Sequence, residues 1–174
     1  VVNLSADQDI DLVTTSTGSV DYSGQTFTIN GSGDETATLD IVGDGVDDDT
    51  TIATDAGSLK INSEIDAAEK FVVDGVSGGN KLTDLTLSGG SDGNTLSIVG
   101  GSDAQIATLT APGLTGDLTL TGDALDASNG ATVTLGSGDQ VLDVTNADLT
   151  KLTVDGGEGT GDELQVDAIV GGTD

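Results

Sequence analysis

Five kinds of side chain are missing from this sequence of 174 residues, which contains no cysteine, histidine, arginine, methionine or tryptophan. Without cysteine, the chain can form neither disulfides nor thiolate metal sites. Without histidine and arginine, it lacks the most common general base and the usual partner of anionic substrates, so we expect no enzymatic activity. The aromatic residues are limited to Tyr22, Phe27 and Phe71. Aliphatic side chains must therefore fill the core, which we expect to be thin.

Positive charge is also nearly absent. The sequence has 31 Asp and Glu residues but only 4 Lys, which gives a formal net charge of -27. This excess excludes nucleic acid as a partner, because the two polyanions repel each other. Like-charge repulsion also destabilises a compact fold unless cations from solution neutralise it. We therefore expect salt or bound divalent metal to supply the counter-charge.

Long apolar runs are missing too, so we expect no direct insertion into a membrane. The lack of cysteine and methionine, together with the acidity, is typical of a chain that is exported and faces an ion-rich exterior. We therefore expect an extracellular, cell-surface location. The sequence shows no signal peptide, so we interpret residues 1–174 as one module that is a fragment of a longer surface protein.

The sequence does contain many short segments in which apolar and polar residues alternate, which is the pattern of β-strands. Each segment ends at Gly, Asp, Asn or Ser, the residues that favour turns. One stretch without Gly or Pro, residues 61–70, has enough helical spacing to predict one or two helical turns. The clearest predicted strands are Phe27–Ile29, Thr38–Val42, Leu85–Leu87, Leu96–Val99, Leu118–Leu120, Val133–Leu135, Leu142–Val144 and Leu164–Val166.

Internal similarity is the most informative feature of the chain. Residues 81–90 (KLTDLTLSGG) resemble residues 149–157 (LTKLTVDGG), at an offset of 67 positions, and a weaker copy lies at residues 106–113. Repeats of about 20 residues with short strands and glycine-rich corners are what a coil of a parallel β-helix requires. We therefore predict a right-handed parallel β-solenoid of irregular coils. An antiparallel β-sandwich with a similar number of strands is the alternative.

Several predicted corners combine glycine with acidic residues. Calcium takes six to eight oxygen ligands from carboxylates and backbone carbonyls, and glycine lets the backbone turn its carbonyls towards an ion. The alternative is that Asp and Gly merely form solvated turns. The corners are 31–34 (GSGD), 43–49 (GDGVDDD), 89–94 (GGSDGN), 136–139 (GSGD) and 156–162 (GGEGTGD).

Two of these corners, with the residues that follow them, resemble known calcium-binding repeats. Residues 136–142 (GSGDQVL) and 156–164 (GGEGTGDEL) are similar to degenerate copies of the nonapeptide of repeats-in-toxin proteins, although the second carries one inserted residue before its Asp. The order of segments from Lys81 to Leu164 is similar to bacterial surface-layer proteins and related secreted adhesins. That resemblance implies calcium at the turns, with Asp139 and Asp162 as ligands. The further candidate ligands that it implies are Asp34, Asp44, Asp47, Asp49 and Asp92.

These observations together predict a structural rather than a catalytic role. We expect a self-assembling, calcium-stabilised component of a bacterial cell-surface layer, whose partners are other copies of itself or neighbouring domains of the same protein. A spacer or binding module of a large secreted adhesin is the alternative, because it would use the same coils.

Overall fold

A computed structural model describes the backbone of most of the chain. The described residues are 2–5, 9–13, 26–31, 36–42, 50–63, 69–75, 82–90, 95–100, 104–122, 125, 130–144 and 151–166. All of the secondary structure in these ranges is extended.

The described residues form fifteen short strands, each of which consists largely of alternating apolar and polar residues. In chain order they are β1 (Val2–Ser5), β2 (Asp9–Val13), β3 (Thr26–Asn30), β4 (Thr36–Val42), β5 (Thr51–Thr54), β6 (Ser58–Ser63), β7 (Glu69–Gly75), β8 (Leu82–Gly89), β9 (Thr95–Gly100), β10 (Ala104–Leu114), β11 (Asp117–Gly122), β12 (Thr132–Thr134), β13 (Gln140–Val144), β14 (Thr153–Asp155) and β15 (Glu163–Val166).

The strands alternate between two sheets. The odd-numbered strands form an eight-stranded sheet in the order β1-β3-β5-β7-β9-β11-β13-β15, and the even-numbered strands form a seven-stranded sheet in the order β14-β12-β10-β8-β6-β4-β2. Neighbouring strands in both sheets pair in parallel, for example β9 with β11 and β8 with β10. The predicted parallel β-solenoid is confirmed, and the antiparallel sandwich is excluded.

The register gives the length of each coil. Val141 pairs with Glu163, 22 positions later in the sequence. The shortest steps, of 21 positions, join Ile52 to Val73 and Val133 to Val154, and the longest joins Ile10 to Leu39, 29 positions apart. The predicted coil length of about 20 residues is thus close to that of the shortest coils. The other coils are longer.

The core consists of aliphatic columns that run along the solenoid axis. In the seven-stranded sheet, one column is formed by Leu59, Leu85, Leu109 and Val133, which pair in succession and are all fully buried. Each such side chain contributes roughly 1.5–3 kcal/mol relative to an exposed one. No single coil buries enough of them to be stable alone, so neighbouring coils depend on each other.

The strand predictions are confirmed, whereas the helix prediction is not. All eight segments named as the clearest strands lie in strands of the structure, with Leu135 one residue beyond β12. The helical turns predicted for residues 61–70 are wrong in the described part, because residues 61–63 belong to β6 and residues 69–70 belong to β7. Strand β6 pairs with β4 and β8, and strand β7 pairs with β5 and β9. This pairing provides more hydrogen bonds than an isolated helical turn could form.

Candidate functional site

One corner of the solenoid repeats over three successive coils and contains both of the best candidate ligands. It connects the seven-stranded sheet to the eight-stranded sheet, between β10 and β11, between β12 and β13, and between β14 and β15. We call it the acidic corner and define it as residues 114–117, 136–139 and 156–162. Each of its three turns contains a Gly-Asp pair where the chain enters the next strand: Asp117 is the first residue of β11, whereas Asp139 and Asp162 directly precede β13 and β15.

Backbone hydrogen bonds connect the turns of the acidic corner along the solenoid axis. The Ser137 N–H donates to the carbonyl oxygen of Leu114 at 3.2 Å, and the Glu158 N–H donates to that of Gly136 at 3.1 Å. The Thr115 N–H donates in the same way to the Gly89 carbonyl oxygen at 3.0 Å. Backbone pairing therefore continues from the sheets through the corner, which satisfies polar groups that a turn usually leaves to water.

Glycine is required here because the stacked turns approach so closely. A Cβ atom on Gly138 would collide with the carbonyl oxygen of Gly116, and a Cβ atom on Gly159 would collide with that of Gly138. Gly157 has a φ of 73°, in the left-handed region, and its Cβ would meet the Gly136 carbonyl oxygen. The glycines that suggested calcium-binding turns thus have a packing role that needs no ion.

The aspartates of the corner form hydrogen bonds from one coil to the next. The Oδ1 atom of Asp117 accepts a hydrogen bond from the Asp139 N–H at 2.9 Å. The Oδ1 atom of Asp139 accepts one from the Gly161 N–H at 2.9 Å and a longer one from the Thr160 N–H at 3.3 Å. Each of these two carboxylates therefore fixes the turn of the following coil, and hydrogen bonds to a charged acceptor are among the stronger ones.

The Asp162 carboxylate hydrogen-bonds to the preceding coil, whereas those of Asp117 and Asp139 hydrogen-bond to the following coil. The Oδ1 atom of Asp162 accepts a hydrogen bond from the Gln140 N–H at 3.1 Å, on the preceding coil. Because Val141 pairs with Glu163, Asp162 lies opposite Gln140, one register position beyond Asp139. Asp139 and Asp162 thus lie at the same corner on adjacent coils, with both Oδ1 atoms hydrogen-bonded to the backbone.

Gln140 is a residue of this site that sequence reasoning missed. It pairs with Leu118, which in turn pairs with Leu96, so an amide occupies a position held by leucine in the two preceding coils of that column. Its side chain is fully buried, and neither Oε1 nor Nε2 has a hydrogen-bond partner among the residues that the structure describes. It borders a cavity of about 130 Å³ that is also lined by Leu135, Leu142, Val154 and Leu164.

The predicted calcium ligands are only partly described. Asp34, Asp44, Asp47, Asp49 and Asp92 lie outside the described residues. Within the described ranges, no three acidic, histidine or cysteine side chains come close enough together to hold a metal ion. Asp139 and Asp162 supply fewer oxygens than the six to eight that calcium takes, so backbone carbonyls of the corner would have to complete the set. Calcium binding remains a prediction.

Asp117 was also missed, although the sequence contains a signal for it. A Gly-Asp pair at the start of a strand recurs at residues 116–117, 138–139 and 161–162. These pairs lie 22 and 23 positions apart, close to the length of one coil. A search for Gly-Asp at the coil period would have identified all three aspartates.

Comparison of the chain with protein-family models, with curated proteins and with solved structures finds no match. Among the residues that the structure describes, no helix is long and apolar enough to cross a membrane. The fold and the geometry of the acidic corner are therefore the features from which a function can be inferred.

Proposed function

We propose that this chain is a structural module of a bacterial cell-surface layer, in which it self-assembles and is stabilised by calcium. The observation that supports this proposal best is the continuity of the eight-stranded sheet from β1 to β15. Each of these two outer strands has one described strand neighbour, so each leaves one edge without a strand partner among the described residues. Such edges favour the addition of further strands.

The distribution of charge supports the calcium part of the proposal. Asp117 and Asp139 occupy equivalent positions on adjacent coils, and adjacent parallel strands lie about 4.8 Å apart. Two like charges at about that distance repel each other by about 1 kcal/mol in water, and by more near a protein surface. A divalent cation bound at the acidic corner would remove this repulsion, and it would stabilise the folded state through linkage.

The calcium part is tested by thermal unfolding in calcium, in magnesium and in excess chelator, all at one ionic strength. Far-ultraviolet circular dichroism monitors the unfolding. We expect calcium to raise the melting temperature above that in chelator, and we expect magnesium to raise it less. Constant ionic strength separates binding from screening. Superimposable curves in calcium and chelator would mean that the acidic turns are solvated corners and that no calcium stabilises the fold.

The location is tested in the cells that produce the protein. Antibodies against this chain should label the surface of intact cells as a continuous layer, and chelation of calcium should release the labelled protein. Sparse labelling on long projections would instead favour the adhesin spacer. Labelling that appears only after the cells are opened would contradict both functions.

A further inference from the structure

We propose that the outward face of the seven-stranded sheet binds the surface of ice through a regular array of threonine side chains. The array, which we call the threonine face, covers four neighbouring strands, β8, β10, β12 and β14. Its members are Thr86, Thr108, Thr110, Thr132, Thr134 and Thr153. This inference goes beyond the proposed surface-layer role, and it does not depend on the acidic corner.

The threonine face points away from the core. Leu109 of β10 and Val133 of β12 are fully buried. Because successive side chains of a strand point to opposite faces, the threonines on either side of these two residues are directed outward. Thr132 is exposed, and Thr108 and Thr110 are half-buried, as expected for outward residues with a strand on each side.

Strand pairing arranges these threonines in two columns along the solenoid axis. In each column, three threonines on consecutive strands pair in register. The members are Thr108, Thr132 and Thr153 in the first column, and Thr86, Thr110 and Thr134 in the second. Neighbouring parallel strands lie about 4.8 Å apart, and alternate residues of one strand lie about 6.6 Å apart. The backbone therefore fixes a lattice with two constant spacings.

The strand preference of threonine does not by itself account for this arrangement, because it would act equally in both sheets. In the eight-stranded sheet, β3 and β11 each contain a Thr-x-Thr step, at residues 26–28 and 119–121, but no strand beside them does. In the seven-stranded sheet, the Thr-x-Thr steps of β10 and β12 lie side by side. A block of threonines that extends in two directions is thus confined to one face.

The hydroxyl groups of the threonine face are available to water. Threonines elsewhere use theirs within the fold: Thr54 Oγ1 donates to the Ile29 carbonyl oxygen at 3.2 Å, and Thr83 Oγ1 donates to that of Gly57 at 3.1 Å. No hydroxyl of the threonine face has such a partner among the described residues. Each can donate one hydrogen bond and accept two, so the face offers water a lattice of hydroxyl and methyl groups.

A regular, rigid array favours a partner that is itself regular. The surface of ice presents water oxygens at fixed spacings, whereas a dissolved ligand or a flexible chain does not. Threonine is stiff at χ1 and its strand is held by backbone pairing, so little conformational entropy is lost when ordered water binds. The charged residues Lys60, Asp84 and Asp155 pair with members of the face, and so they mark its margins.

The test measures how far the whole 174-residue chain, in calcium, is incorporated into ice that grows slowly from a dilute solution. Thr110→Lys places a long charged side chain at the centre of the threonine face. Thr119→Lys is the matched control, because Thr119 is a half-buried outward threonine of β11, in the other sheet. Thr110→Val removes the hydroxyl and keeps a residue that favours strands. Circular dichroism first checks that each variant keeps the β-sheet spectrum and the melting temperature of the unchanged chain.

We expect the unchanged chain and Thr119→Lys to be enriched in the ice and to give its crystals flat facets. Thr110→Lys should reduce the enrichment about tenfold or more, since few contact residues carry most of the binding energy. Thr110→Val should reduce it less, because the side chain still fits the lattice. Serum albumin, which growing ice excludes, provides the baseline.

Three results would overturn the inference. The first is an unchanged chain that ice excludes as completely as albumin. The second is an equal loss of enrichment in Thr110→Lys and Thr119→Lys, which would place the contact outside the threonine face. The third is exclusion from ice combined with binding to an insoluble crystalline polysaccharide that Thr110→Lys abolishes, which would assign the face to a glycan. None of them bears on the cell-surface labelling or on the calcium response, so the proposed function is tested separately.

Discussion

At the scale of single residues, the glycines of the acidic corner allow the coils to stack. Gly138 lies against the backbone of the preceding coil, where a Cβ would collide with the Gly116 carbonyl oxygen. By contrast, a Cβ on Gly113 would meet the Ser88 Cβ at 3.4 Å, which is ordinary van der Waals contact. The two glycines therefore form a matched pair for testing close approach of the backbone.

We expect Gly138→Ala to lower the free energy of unfolding by about 3 kcal/mol, because the added methyl group has backbone rather than a flexible side chain in its way. Gly113→Ala should change it by no more than about 0.5 kcal/mol. Urea unfolding followed by circular dichroism measures both values. Equal effects of the two changes would contradict the tight packing of the corner.

Gln140 provides a second test at the residue scale. A buried amide without a hydrogen-bond partner costs roughly 1–3 kcal/mol. Since leucine occupies the paired position 118 and is fully buried, Gln140→Leu should raise the free energy of unfolding by about that amount. The reverse change, Leu118→Gln, should lower it. If Gln140→Leu destabilises the chain in the same urea titration, the amide has a partner in solution, such as a bound ion or water.

At the scale of structural elements, the aspartates connect consecutive turns. Asp139→Ala removes the acceptor of the Gly161 and Thr160 N–H groups, so it should lower the free energy of unfolding by roughly 1.5–3 kcal/mol. Asp139→Asn keeps an oxygen acceptor and removes a negative charge, so in chelator it should be less destabilising than alanine. Melting temperatures in chelator, compared among the three proteins, measure this difference.

The same two variants separate the structural role from the predicted calcium role. If Asp139 binds calcium, the stabilisation that calcium provides to the unchanged chain should decrease in Asp139→Asn as well as in Asp139→Ala. If Asp139 acts only through its hydrogen bonds, the calcium response of Asp139→Asn should equal that of the unchanged chain.

At the scale of the whole molecule, the net charge of -27 opposes folding through self-repulsion. Raising the sodium chloride concentration from about 0.01 M to about 1 M shortens the Debye length from about 30 Å to about 3 Å. We therefore expect the melting temperature in chelator to rise with salt. A melting temperature that does not change with salt would mean that repulsion between the acidic residues contributes little to stability.

The register of the coils shows how far the sequence could predict the whole fold. Alignment of the two most similar segments at an offset of 67 places Leu85 opposite Leu152. In the structure the column from Leu85 runs through Leu109 and Val133 to Val154, two residues later. A shift of two residues keeps each side chain on the same face of the sheet, so the strands and their core faces were predictable although the register was not.

The corner aspartates were predictable to a similar extent. The Gly-Asp pairs at residues 138–139 and 161–162 correctly indicated turns, because glycine and aspartate favour turns in any fold. The partners of their carboxylates could not be inferred, since the Gly161 N–H and the Gln140 N–H lie 22 positions away and come close only when the coils stack. The buried position of Gln140 depends on the same stacking.

The sequence alone therefore determined the parts of this protein that depend on local chemistry: short aliphatic strands that alternate at period two, turns of glycine and aspartate, and a large negative net charge. The tertiary structure decided what depends on contacts between coils. These are the parallel pairing of two sheets, the register of each column, and the hydrogen bonds of Asp117 and Asp139. The physical reason is that one coil cannot bury its apolar face by itself, so its neighbours determine which positions are covered.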